Sequence, residues 1–210
     1  TPSVFISYIY RSITVDILNN FAQENGIDVK LLQAILQVEA GGNGFNLDGA
    51  LKIRVEIHLL LEDYPYMNNR WFKTGTPKYL DHYYKFPSYS TLWRTVHTGN
   101  QWDEYSALLV AAFQIQNKAF EYISMGKFQI CGFHFAKLGF TSALEMFTHM
   151  SQGDENDTSV GLRFIKSDWN LLTALQQRDI DRFIKGYNGV SGDSVSIYRD
   201  RIQSALSRLG

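Results

Sequence analysis

The sequence predicts a mainly α-helical domain with a small β-hairpin lobe. Three observations predict it. Apolar residues recur at helical spacing over most of the chain, one short stretch alternates apolar and polar residues strictly, and glycines punctuate the junctions. Of the 210 residues 45% are apolar, enough for a sizeable core, and only 20% are charged, which excludes wholesale disorder. Domains run to ~100–200 residues, and the chain carries no linker, low-complexity tract or repeat. The expectation is therefore a single domain over residues 1–210.

Ser12 opens a first helix over about 13–24, with an apolar stripe of Ile13, Ile17, Leu18 and Phe21 and a stop at Asn25-Gly26. Asp28 caps a second helix over about 29–40, rich in Leu31, Leu32, Ile35, Leu36 and Val38, which Gly41 and Gly42 end. Then the period changes. Leu51, Ile53, Val55, Ile57 and Leu59 alternate with Lys52, Arg54, Glu56 and His58, as in a half-buried strand, and Asp48-Gly49 before them is a hairpin turn signal. A β-hairpin over about 44–57 follows from these two signals. Pro65, Pro77 and Pro87 break up residues 62–100, where a helical turn or two in Leu61–Trp71 and otherwise irregular structure are expected. A long helix follows from Trp102 to Ile123, with Leu108, Leu109, Ala112, Phe113 and Ile115 turned to the core. Ser142 and Glu145 form a capping box for a helix over about 142–151. Helices over 154–167, 170–177, 179–186 and 194–209 complete the chain.

Composition also excludes function classes. A formal net charge of −1 is not that of a dedicated nucleic-acid binder or a polybasic membrane module. The single cysteine, Cys131, rules out an internal disulfide framework and a cysteine zinc site, and its apolar neighbours suit an inert buried thiol. His58, His82, His97, His134 and His149 show no helical zinc spacing, so no metal is expected. No Gly-rich phosphate loop follows a strand, and no cofactor is expected. No apolar run reaches the ~18 residues of a membrane span. Val4–Tyr10 is too short, and lacks the basic leader, for a signal peptide. A monomer is the default expectation.

The residue that carries chemistry is Glu39. It stands in the last turn of the second helix, on the face of Leu32, Ile35 and Leu36, beside a Gly-Gly exit. Burial and the electronegative helix end both disfavour a carboxylate. An acid kept protonated there can donate a proton to a leaving oxygen. The plainer reading is a glutamate on the helix surface. The sequel of Gly-Gly and a polar hairpin favours an acid at the lip of a groove.

Three blocks carry a family resemblance. The first is Val38-Glu39-Ala40-Gly41-Gly42-Asn43-Gly44-Phe45, then Asp48-Gly49, then Lys52 to His58. The second is Ser124-Met125-Gly126-Lys127-Phe128-Gln129-Ile130-Cys131-Gly132-Phe133, and the third runs from Phe183 to Tyr187-Asn188-Gly189 with Tyr198 downstream. In this order and spacing, over about 28–208, they resemble the N-acetylmuramidase family, lysozyme-type domains of phage endolysins and bacterial cell-wall hydrolases. The resemblance implies a lysozyme-like helical fold with a small β lobe. It implies hydrolysis of the β-1,4 bond between N-acetylmuramic acid and N-acetylglucosamine, and it places the catalytic acid at Glu39. Peptidoglycan glycan strands would be the partner. The site of action would be the cell wall, reached by secretion, in the periplasm or by phage delivery. The chain departs from the family pattern at Ala50-Leu51, Val55, Ile57 and Met125.

Glycoside hydrolysis normally uses two carboxyl groups. Glu56, on the polar face of the strand with Arg54 and His58, either orients water or stabilises developing charge, or else forms a salt bridge with Lys52 or Arg54. Asp48 is a candidate sugar contact but is more easily explained as the hairpin turn residue. Ser124 and Gln129 are candidate cleft residues, with a capping turn as the alternative. Tyr187 and Asn188 either contact sugar or cap a helix. Two rivals share these residues: a lytic transglycosylase on the same scaffold, in which one glutamate suffices, and a non-catalytic peptidoglycan-binding domain.

Overall fold

The structure, a computed structural model, describes residues 15–40, 43–76, 81–86, 92–189 and 192–210. The expected Ser12 cap, Ile13 and the Gly41-Gly42 exit lie outside these residues. The chain divides into two compact units, one made of the residues up to Gly44 with Met150–Gly210, the other of Phe45–His149.

The first unit is helical. Helix α1 covers 15–25 and ends where Gly26 takes φ 65° and Ile27 N–H donates to Ala22 O at 2.8 Å. Helix α2, Val29–Ala40, starts under Asp28, whose Oδ1 accepts from Lys30 N–H at 2.9 Å. Leu31, Leu32, Ala34, Ile35 and Leu36 are all buried, so α2 is a core helix. It packs on α9, Asp193–Arg208, which buries Val195, Ile202 and Ala205 on one stripe. Between them come α6 (Asp154–Ser167), α7 (Trp169–Gln176) and α8 (Ile180–Asn188). Each begins or ends where the sequence signals it. Asp168 caps α7 and Asp179 caps α8 through backbone N–H groups of Asn170, Leu171 and Arg182. Gly189 closes α8 in the left-handed region.

The second unit holds both sheets, and it corrects several expectations. The Asp48-Gly49 turn forms, with Asn46 N–H donating to Ala50 O at 2.8 Å, but among the described residues its arms share only the Phe45–Leu51 bridge. Strand β1, Ile53–Val55, pairs instead with β5, Ile123–Met125, which pairs with β6, Ile130–Cys131. The alternation stops at Val55. Glu56 leaves extended backbone at φ −87°, ψ 70°, and Ile57–Asp63 is helix α3. Ile57 and Leu60, both buried, also satisfy a helical period, and that period wins.

The 62–100 stretch is more regular than expected. Its strands β2 (Phe72–Thr74), β3 (His82–Tyr84) and β4 (Arg94–Thr95) form a three-stranded antiparallel sheet around buried Phe72 and Tyr84. The long helix is shorter than expected. Helix α4, Gln101–Ile115, stops at Gln116, whose φ of 54° and ψ of −136° no helix can contain. A 3₁₀ segment, Gln116–Tyr122, leads into β5. Leu108 is buried, but Leu109 and Phe113 are 51% and 72% exposed, and the buried residues of the helix are Glu104, Ala107, Leu108, Val110 and Ala111. Helix α5, Ala143–Met150, carries the expected capping interactions: Ser142 Oγ accepts from Glu145 N–H, and Glu145 Oε2 accepts from Thr141 N–H.

Candidate active site

Glu39 lies in the closing turn of α2, on the row continued from buried Leu32, Ile35 and Leu36. Its side chain is outside the described part of the structure.

Glu56 is the centre of a described cluster in the second unit. The first and second motif blocks meet there, because Arg54 faces Ser124 in the β1–β5 register. Buried Ser124 donates its Oγ–H to Glu56 Oε1 at 2.9 Å. Arg54 Nε stands 3.7 Å from the same oxygen, and His58 Nδ1 stands 3.7 Å from Oε2. Glu56 N–H donates to Tyr122 O at 2.8 Å, which fixes the backbone at the strand-to-helix junction. Oε1 is therefore fixed by a hydrogen bond and Oε2 faces an imidazole, while 14% of the side chain's surface stays open. Because the strand ends at Val55, His58 reaches Glu56 from the first turn of α3 rather than from a strand face.

The other expected residues make local contacts within their own units. Asp48 Oδ1 accepts from Ala50 N–H at 3.0 Å and orders its own turn. Gln129 is exposed at φ 49° in the turn between β5 and β6. Its Nε2 donates to Gly126 O at 2.8 Å. Tyr187 and Asn188 end α8 in the first unit. The Tyr187 ring stacks on Phe183 at 5.3 Å and meets Phe164 edge-on. Cys131 lies opposite Ser124 in the β5–β6 register. Burial first, then neighbouring Glu56, push its thiol up to about 12, so it stays protonated and unreactive at neutral pH.

Sequence reasoning missed Glu104, His97 and His82. Glu104 Oε2 accepts from Val55 N–H at 2.8 Å, one residue before Glu56, and its Oε1 meets His97 Nδ1 at 2.7 Å. The signal was present: Glu104 shares a helix row with Ala107, Leu108 and Ala111, as Glu39 does with its leucines. No helix among the described residues is long and apolar enough to cross a membrane.

A search of curated proteins returned no match. Among solved structures, the crystal structure of a Burkholderia AP3 phage endolysin is similar in fold, with a TM-score of 0.67 and 24% identity over 92% of this chain and 70% of that one. The family model for N-acetylmuramidase matches residues 28–210, through all three motif blocks and both compact units. With Glu56 and Ser124 joined across those blocks, the chain belongs to the N-acetylmuramidase family of peptidoglycan-cleaving enzymes, which act on the cell wall.

Proposed function

We propose that the protein hydrolyses the β-1,4 bond between N-acetylmuramic acid and N-acetylglucosamine, with Glu39 as general acid and Glu56 as second carboxylate. The observation that carries the reading is the Ser124–Glu56 hydrogen bond, which joins two motif blocks that lie far apart in sequence. Glu39 gives its proton to the leaving glycosidic oxygen as the C1–O bond breaks. Glu56 faces the positive charge that develops at C1, or holds the water that attacks it and takes that water's proton. Ser124, Arg54 and His58 keep the Glu56 carboxylate in one orientation. Gln129, Tyr187 and Asn188 contact the sugar, and Asp48 orders the turn after α2. The family match across both units supports a single catalytic domain, and we propose that it acts as a monomer.

Mass spectrometry of products from purified peptidoglycan tests this reading. Reducing muramic acid ends are expected. Anhydro-muramic ends would reassign the chain as a lytic transglycosylase, and reducing glucosamine ends would reassign the bond. Binding without soluble fragments would leave only a glycan-binding domain.

A further inference from the structure

Beneath Glu56 lies a second chain of titratable groups to which no role has been assigned above. It starts at Glu104, which is 6% exposed. Its Oε1 stands 2.7 Å from His97 Nδ1, and His97 Nε2 stands 2.6 Å from His82 Nδ1. His82 is fully buried, and its ring stacks on that of His58, with centroids 5.4 Å and planes 28° apart. His58 Nδ1 then faces Glu56 Oε2 at 3.7 Å. A second line leaves the same carboxylate, since Glu104 Oε2 holds the N–H of Val55, the residue before Glu56. Two routes, one through rings and one through backbone, thus run from Glu104 to Glu56.

The chemistry gives the ring route a direction. An ionised carboxylate only accepts, so His97 Nδ1 is the donor to Glu104. Neutral His97 then has a lone pair at Nε2, which accepts from His82 Nδ1–H. With Glu104 ionised and both rings neutral, this chain allows one proton order, His82 Nδ1–H to His97 Nε2 and His97 Nδ1–H to Glu104, as orienting carboxylates impose on catalytic and ligating histidines. His97 thus uses Nδ1 on Glu104 and Nε2 on His82. Among the described residues no cluster of three or more such side chains could hold a metal ion.

We infer that Glu104, His97 and His82 are positioning residues for Glu56, acting through the stacked His58 ring and the Val55 backbone. The inference rests on the reading of Glu56 as the second carboxylate.

Glu104→Gln tests it with little change of shape. The amide oxygen still accepts from Val55 N–H, but the amide nitrogen must donate to His97, which reverses the proton order along both rings. The expected result is a fall in kcat of about tenfold to a hundredfold on purified peptidoglycan, with KM unchanged. Histidine ¹⁵N spectra should show His82 changing from the Nδ1–H to the Nε2–H form. His97→Asn keeps a donor to Glu104 and cuts the link to His82, and the same loss of kcat is expected. Glu56→Gln separates the two readings. If it keeps wild-type kcat, the role given to Glu56 fails and this inference with it. If Glu56→Gln is impaired while folded Glu104→Gln and His97→Asn keep wild-type kcat, the positioning role alone is overturned. The wild type needs no variant: ¹⁵N shifts showing exchanging tautomers at His97 and His82 would also overturn it.

Discussion

At Glu56 one hydroxyl makes a direct hydrogen bond to the carboxylate. Ser124 donates to Oε1 from a strand held by backbone pairing to β1 and β6 and by buried Ile123 and Met125, so Ser124→Ala removes the donor and leaves β5 in place. A hydrogen bond to a charged acceptor is worth about 1.5–3 kcal/mol. Ser124→Ala should lower melting temperature by a few degrees and lytic rate by roughly tenfold, read by thermal unfolding and by turbidity of purified walls. Glu145 gives a prediction in pH. The hydrogen bonds from Thr141 hold its carboxyl below the usual range. A depressed folded value means the unfolded chain binds its proton first as pH falls. The contribution is complete above the ordinary glutamate range and is lost as pH falls through the folded value. The melting difference between wild type and Glu145→Gln should shrink to nothing in acid. An acid on an apolar helix row was legible at Glu39, but Glu104 shows the same row and serves as a buried acceptor. Row position alone does not distinguish a reacting acid from a structural one; what the carboxylate touches does.

Helices were legible almost to the residue where caps are local. Asp28, Ser142, Asp168 and Asp179 each accept from a backbone N–H within three residues. Strands were not, because their partners are remote: Val55 pairs with Ile123, and the local turn at Asp48-Gly49 closes on a single bridge. Strands β2 to β4 are two or three residues long, too short for a period to register. The end of α4 was hidden as well, since nothing in glutamine announces a positive φ. Gln116→Gly should relieve that backbone and stabilise the protein by about 1 kcal/mol in denaturant unfolding. Gly132 is the reverse case. A Cβ there would stand 1.8 Å from Phe120 O, so Gly132→Ala should destabilise the second unit and shift its unfolding to lower denaturant.

At the scale of the molecule, the first unit is assembled from both ends of its own sequence range, with α2 packed on α9. The sequence shows no linker, and none is needed, since the second unit is inserted as one block between Gly44 and Met150. Deleting Asp193–Gly210 strips Val195, Ile202 and Ala205 from the core that also buries Leu31, Leu32 and Ile35. The truncated chain should lose cooperative unfolding by circular dichroism. The mainly helical fold and the family were legible because three motif blocks keep their order; that the first two meet in one sheet was not. The account as a whole stands on Glu39 as the proton donor. Clearing of purified cell walls by Glu39→Gln, at matched concentration and with unchanged circular dichroism, tests it most directly. The rate should fall by about 10²–10⁴-fold; clearing at the wild-type rate would contradict the account.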